Sequence, residues 1–277
     1  MNNLEITFGS LFAGIGGFDL GFERAGMVCK WQVEIDDYAN RVLAKHWPNV
    51  HRERDIRECG SHNLKAVDVI CGGFPCQDIS YAGQGAGLDG ERSGLFFEAV
   101  RVVCELRPKI VVLENVAALL TRGLDRVLGT LAEIGYDAEW HCIPAAAVGA
   151  PHIRDRVFVL GHDVSDDSKA SRAGETKAGS TGLFGNAGES RVFANSGFIR
   201  CNSGRAEQSL QGTRASSEAW RHVGKSGQWN SEPAVGRVAN GVSARVDRLR
   251  GLGNAVVPQV AEWIGRRIAT ALRADFV

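Results

Sequence analysis

The segment Gly72-Gly73-Phe74-Pro75-Cys76-Gln77 combines the residues needed to present a thiol to another molecule. It follows the apolar run Val67-Asp68-Val69-Ile70-Cys71, which reads as a buried strand of a parallel sheet. Open α/β sheets bind ligands beyond the carboxyl ends of their strands, and Cys76 would then lie there. Pro75 fixes one backbone angle, and the two glycines let a second molecule approach the main chain closely. A thiolate in that position is a nucleophile. The competing reading is a small buried hydrophobe, the common fate of a free cysteine.

Three further segments place polar groups at strand ends. Val111-Val112-Leu113-Glu114-Asn115-Val116 ends a very apolar strand on a carboxylate. Burial there would raise the pKa of Glu114 until it could hold or donate a proton near neutrality. A carboxylate tied to a helix amino terminus accounts for the same residue equally well. In Gly149-Ala150-Pro151-His152-Ile153-Arg154-Asp155-Arg156-Val157-Phe158, two arginines at i and i+2 of an extended segment would face one side. That suits a phosphate or a polar base edge, while a surface Arg-Asp-Arg ion cluster is the alternative. Ser10-Leu11-Phe12-Ala13-Gly14-Ile15-Gly16-Gly17-Phe18 runs from a strand into a Gly-x-Gly-Gly turn and a helix, so its backbone can wrap around a cofactor. Glu34 follows Gly14 by 20 residues, where an acid meets ribose hydroxyls in nucleotide-binding α/β folds. A nicotinamide oxidoreductase would share that pair. The loop lacks the full GxGxxG register, however, and Phe12 better suits packing beside an adenosyl or methionyl group.

These segments need a scaffold, and the pattern up to Gly161 supplies one. Strands are expected from Ile6 to Phe12, Lys30 to Glu34, Val67 to Cys71, Ile110 to Glu114, Glu139 to Ile143 and Val157 to Gly161. Helical spacing covers Gly17 to Ala25, Tyr38 to His46, Leu95 to Leu106 and Leu124 to Ile134. Such alternation predicts βαβ units in an α/β fold with a doubly wound, mostly parallel sheet. Ordered structure is expected to resume by Trp229, and Val256 to Leu272 reads as a final helix with Pro258 in its first turn.

Between these parts the composition changes. Half of residues 163–218 are Gly, Ser, Ala or Asn, too few apolar groups to offset ~1–2 kcal/mol of backbone ordering per residue. This stretch is expected to order on a partner. The net charge of zero conceals an uneven spread: residues 1–162 carry 16 basic and 21 acidic side chains, residues 163–250 carry 13 and 9. The basic second segment suits a polyanion. Apolar content of 44% in 277 residues allows one large domain or a large and a small one. No long apolar span or signal peptide is seen, which argues against a membrane and for the cytoplasm. Seven irregularly spaced cysteines without CxxC pairs fit a reducing compartment and give no zinc-binding pattern.

The order of these motifs resembles the cytosine-5 DNA methyltransferases of bacteria and their phages. The resemblance runs through FAGIGGF at 12–18, VEID at 33–36, GGFPCQDIS at 72–80, GLDGERSGLFFE at 87–98, LENV at 113–116, GAPHIRDRVF at 149–158 and GLGNAVVP at 251–258. It implies the S-adenosylmethionine-dependent methyltransferase fold with a small, irregular target-recognition domain. Residues 1–162 would form the cofactor-binding and catalytic domain, 163–249 the recognition domain, and 250–277 a segment returning to the first. S-adenosylmethionine would be the cofactor and S-adenosylhomocysteine the product, with no metal.

The cofactor would lie against Phe12, Ala13, Gly14, Ile15, Gly16 and Gly17, its ribose on Glu34. Asp55 and Ile56 would meet the adenine, Ile35, Gly73, Pro75 and Leu95 would add contacts, and Asn254 and Ala255 would close the pocket. A cytosine taken out of the duplex stack would meet Cys76 at carbon 6 and Glu114 at ring nitrogen 3. Asn115 would order the Pro75-Cys76 loop, while Arg154 and Arg156 would orient the base and the Glu114 carboxylate. Double-stranded DNA is the implied partner and a monomer the implied unit, in a bacterial or phage-infected cell, and a companion restriction endonuclease is compatible with the resemblance. Two features depart from the family pattern: His152 stands where glutamine is usual, and the recognition segment is short and poor in aromatics. A transfer-RNA cytosine-5 methyltransferase shares the core, but its CFT-tyrosine segment is missing here. A non-catalytic DNA-binding relative would need a damaged site, yet every expected residue is present.

Overall fold

The computed structural model describes residues 5–75, 94–164 and 245–274. Cys76, Trp229 and most of the expected recognition segment (165–244) lie outside the described residues. Seven strands form one sheet: β1 (Thr7–Leu11), β2 (Val28–Val33), β3 (His51–Glu53), β4 (Val69–Gly73), β5 (Ile110–Val116), β6 (Tyr136–Pro144) and β7 (Asp155–Asp163). Their order is β3-β2-β1-β4-β5-β7-β6. The first five strands are parallel, and β7 runs antiparallel to both β5 and β6. The doubly wound, mostly parallel sheet expected from the alternation is therefore present.

Helices cover both faces. They are α1 (Gly17–Arg24), α2 (Asp37–His46), α3 (Leu95–Leu106), α4 (Leu124–Glu133), α5 (Arg245–Asn254) and α6 (Pro258–Ala274). One buried cluster joins Trp31, Ile70, Val111 and Val159 of the sheet to Phe96, Val103, Val127 and Leu131 of α3 and α4. The other joins Phe8, Val69, Val112 and Leu160 to Phe18 and Phe22 of α1 and Ile264 and Ile268 of α6. Successive strand residues thus enter opposite cores, and this is why β5 reads as unbroken apolar sequence.

Two elements were not expected from the sequence. His51-Arg52-Glu53 forms edge strand β3 with no apolar residue, because only one neighbour and partial cover are required there. Helix α5 begins at Arg245 and runs through the expected domain boundary at 249/250. Its sequence is ambiguous: Val246, Leu249 and Leu252 are spaced for a helix, but Gly251 and Gly253 disfavour one, and the three apolar side chains remain exposed. Helix α6 starts at Pro258, whose missing N–H would lack a helical partner at that position anyway. Among the described residues, no helix is long and apolar enough to cross a membrane, and no cluster of three or more His, Cys, Asp or Glu side chains could hold a metal ion.

The first helix and the last meet almost backbone to backbone. A Cβ on Gly17 would lie 2.3 Å from the Val256 carbonyl oxygen, and one on Gly21 would lie 2.4 Å from Ala261 Cβ and 2.5 Å from the Pro258 oxygen. Gly265 answers from α6, where a Cβ would fall 2.9 Å from Ala25 Cβ. Beneath α1, the fully buried Asp19 carboxylate accepts hydrogen bonds from Ser10 Oγ (3.1 Å) and Gln32 Nε2 (2.8 Å). Burial pushes its pKa up to about 6 against the pull of those bonds. We predict that Gly21→Val lowers stability by about 1–3 kcal/mol, because backbone rather than a flexible side chain must move. A fall in the urea midpoint at unchanged slope would show it, whereas an unchanged midpoint would mean that α6 shifts freely.

Candidate active site

A cleft of about 320 Å³ opens at the carboxyl ends of β1, β4 and β5. The strand order reverses between β1 and β4, where α/β sheets place their ligands. Phe12 leaves β1 with φ 51°, a left-handed backbone unusual for an aromatic residue, and lines the cleft. Gly14 follows at φ 55°, and a Cβ on it would reach only the Phe12 oxygen at 4.0 Å, so its cleft side is open. Both carboxylate oxygens of Glu34 accept backbone hydrogen bonds, Oε2 from Gly14 N–H (2.7 Å) and Oε1 from Asp36 N–H (2.8 Å). One side chain thereby joins the loop after β1 to the loop after β2. Burial raises the Glu34 pKa, and the two N–H donors oppose the rise.

The rest of the cofactor set is distributed unevenly. Ile15, Ile35, Asp55, Ile56, Gly73, Pro75, Leu95, Asn254 and Ala255 line the same cleft. Ala13 and Gly17 instead border a small crevice beside it, together with Asn254 and Val256. Gly16 is buried and turned away, where a Cβ would strike the Trp47 ring at 2.4 Å. The Asp55 carboxylate accepts from Arg57 through both the guanidinium and the backbone N–H, which holds its pKa below the usual range.

At the other end of the cleft, β5 delivers Glu114 and Asn115 to opposite faces. Register sets Val116 opposite Arg156, so Glu114 lies diagonal to that arginine on the same face. Arg156 Nε donates to Glu114 Oε1 at 2.9 Å. Gly73 lies beside Glu114 on β4, and a Cβ there would sit 2.8 Å from Glu114 Oε2. Burial is the largest influence on Glu114 and raises its pKa to about 7, even though Arg156 and Arg154 both pull it down. Asn115 Nδ2 donates to the Phe74 carbonyl (3.1 Å), which fixes the backbone just ahead of Pro75. Cys76 follows Pro75 in the chain but lies outside the described residues. Burial pushes the thiols of Cys29 and Cys71 well above their ordinary range and that of Cys59 up to about 11, so none of the three supplies a thiolate near neutrality.

The expectation that Arg154 and Arg156 share one side fails. β7 begins at Asp155, and Arg154 precedes it with φ 41°, so the two-residue alternation does not extend back to Arg154. Its guanidinium donates to the carbonyls of Gly253 and Ala255 instead. His152 is exposed and absent from the cleft lining. Sequence reading missed Asp36, Tyr38, Arg54, Asp247 and Arg250, all of which line the cleft. Asp36 was detectable as an N-cap, since its Oδ1 accepts from Ala39 N–H at the start of α2. Asp247 and Arg250 were not, because α5 reaches the cleft only through tertiary packing.

Glu114 binds its proton more tightly folded than unfolded. Its penalty is therefore absent below the ordinary glutamate range and grows as pH rises towards about 7. Glu114→Gln should remove that dependence and gain stability relative to the native chain by roughly 2–3 kcal/mol between about pH 5 and about pH 8. Urea unfolding at both pH values measures it. A difference independent of pH would mean that Glu114 stays ionised throughout.

A family model for C-5 cytosine-specific DNA methylases matches residues 6–208. Type II methyltransferase M2.BsuMI of Bacillus subtilis (strain 168) is 36% identical over 159 residues, covering 54% of this chain and 40% of the relative. M.BanI of Aneurinibacillus aneurinilyticus is 38% identical over 168 residues, 57% of this chain and 39% of the relative. The chain spans about half or less of the length of the curated relatives it matches. Among solved structures, one described as a DNA modification methyltransferase encoded within an E. coli prophage superposes with TM-score 0.50 at 28% identity, covering 59% of this chain and 48% of that one. A mutant of Spodoptera frugiperda DNMT2 gives TM-score 0.50 at 21% identity over 58% of this chain and 51% of that one, a likeness of fold alone. The motif order, the strand order and a match across most of the chain agree: this chain belongs to the C-5 cytosine-specific DNA methylase family.

Proposed function

We propose that the chain transfers the methyl group of S-adenosylmethionine to carbon 5 of a cytosine in double-stranded DNA. One observation carries the reading: most of the residues expected around the cofactor and the Glu114–Arg156 pair line a single cleft, which also contains Pro75. The cleft is large enough for a small ligand, with apolar walls at Phe12, Ile56 and Leu95 and the Glu34 carboxylate to accept from ribose hydroxyls. S-adenosylhomocysteine would be the product left in this cleft. When bound, the cofactor supplies an electrophilic methyl group on a sulfonium.

The chain's own residues act on the base. The cytosine leaves the duplex stack, since carbon 6 is unreachable within it. Cys76, directly after Pro75, adds its thiolate to carbon 6, and Glu114 donates a proton to ring nitrogen 3 as negative charge develops there. A carboxyl with a pKa of about 7 is partly protonated at neutral pH and can make that donation. Carbon 5 thereby becomes the nucleophile towards the methyl group. Loss of the carbon 5 proton to water then expels the Cys76 thiolate, and return of the nitrogen 3 proton to Glu114 restores the ring and the acid. Arg156 holds the Glu114 carboxylate in place, and Asn115 holds the Phe74-Pro75 main chain.

The same reading makes duplex DNA the partner, read by the segment 163–249, with a monomer as the working unit in the cytoplasm. Likeness to Type II methyltransferases favours a companion restriction endonuclease. Duplex DNA carrying 5-fluorocytosine in the target site should give a denaturation-resistant adduct with cofactor, because fluorine cannot leave as the proton does. Persistence of the adduct in Cys76→Ala would refute the assignment, and labelling of transfer RNA in place of duplex DNA would move the activity to the other substrate. Glu114→Gln should slow methyl transfer by roughly 100-fold or more while DNA affinity changes little. An unchanged rate with lost affinity would make Glu114 structural.

A further inference from the structure

We infer that Arg154 is a positioning residue, a clasp that fastens the Gly253–Ala255 wall of the cofactor cleft to the strand bearing Arg156. This rests on the proposed use of S-adenosylmethionine, although the clasp itself can be tested without it. Arg154 Nη2 donates to the carbonyl oxygens of Gly253 and Ala255, each at 2.7 Å, across 99 and 101 residues of chain. Hydrogen bonds from a charged donor are stronger than neutral ones. They also satisfy carbonyls at the end of α5, where helical partners run out.

Between its two ends the wall has little other support. Leu249 and Leu252 of α5 are 61% and 65% exposed, and a Cβ on Gly253 would meet nothing within 4 Å. Arg250 reaches Asp36 only at 3.8 Å between exposed groups, and a pair of that kind contributes little. Val256, buried against Gly17, and Gly251, close to Ile15, hold the ends of this stretch, and Arg154 takes the carbonyls between them, where Asn254 and Ala255 line the cleft.

The backbone supports the same assignment. Arg154 sits at φ 41°, a strained conformation for a long side chain that persists only where surrounding contacts over-determine it. The turn sends the Arg154 side chain to the wall, while Arg156, two residues on, holds Glu114. The tripeptide Arg154-Asp155-Arg156 therefore has two ends, one securing the cofactor side of the cleft and the other the acid. The two arginines thus hold different partners, although both still favour the ionised form of Glu114.

Hydrogen–deuterium exchange on the full chain without ligands tests the clasp directly. In Arg154→Met, amides of residues 251–257 should exchange at least tenfold faster, with protection in β4 and β5 unchanged. Arg154→Lys, which keeps the charge and shortens the reach, should recover part of the protection and serves as the second variant if the methionine form does not fold. Titration with S-adenosylmethionine in the absence of DNA should show affinity at least tenfold weaker in Arg154→Met, with the loss appearing in KM for the cofactor more than in kcat. Unchanged exchange in 251–257 in both variants would overturn the clasp. So would lost DNA affinity and a reduced salt dependence with cofactor binding intact, the signature of a phosphate contact. A native chain that binds no S-adenosylmethionine would instead overturn the proposed function and leave the exchange result standing.

Discussion

One wall of the cleft is in place because α6 can lie nearly against the backbone of α1, and that contact depends on missing side chains. Gly17 and Gly21 on α1 and Gly265 on α6 remove the atoms that would keep the helices apart. Close packing of this kind transmits small volume changes, since neighbouring backbone cannot rotate out of the way. Its consequence is topological. The chain's last helix is brought to the first glycine loop, so Val256 packs on Gly17 while Asn254 and Ala255 face the space beside Phe12 and Gly14. Two distant segments become one pocket wall, and Arg154 ties the same wall to β7 from the other side.

Two buried carboxylates show how environment separates roles. Asp19 is surrounded by neutral donors, Ser10 and Gln32, with the Cys29 thiol at 3.6 Å. Burial raises its pKa to about 6, but it is sealed under α1 and faces no cleft, so its bonds serve to join α1 to β1 and β2. Glu114 is raised to about 7 by the same cause, yet it opens on the cleft and has Arg156 beside it. A perturbed carboxyl marks function only with such access. The arginine does not override desolvation because burial penalises the charged carboxylate more than one partly exposed guanidinium recovers.

Much of this was legible locally. Alternating strand and helix signals identify β1, β4, β5 and α3 because buried parallel strands are continuous apolar runs and α3 has clear helical spacing. Glu114, Glu34 and the Phe12–Gly17 loop were visible as polar or glycine residues at strand ends, where α/β folds place their sites. β3 escaped because an edge strand needs no apolar alternation, and α5 because Gly251 and Gly253 interrupt its helical signal.

The sequence by itself determined the kinds of group available and the strand ends that carry them, since side-chain type and hydrophobic period are local properties. Tertiary structure alone decided which groups meet. The diagonal register of β5 and β7 gave Glu114 its arginine, a left-handed residue ahead of β7 turned Arg154 towards a wall a hundred residues away, and the approach of α6 to α1 supplied Asn254 to a cleft begun at Phe12. These pairings arise from long-range packing, to which no spacing along the chain corresponds.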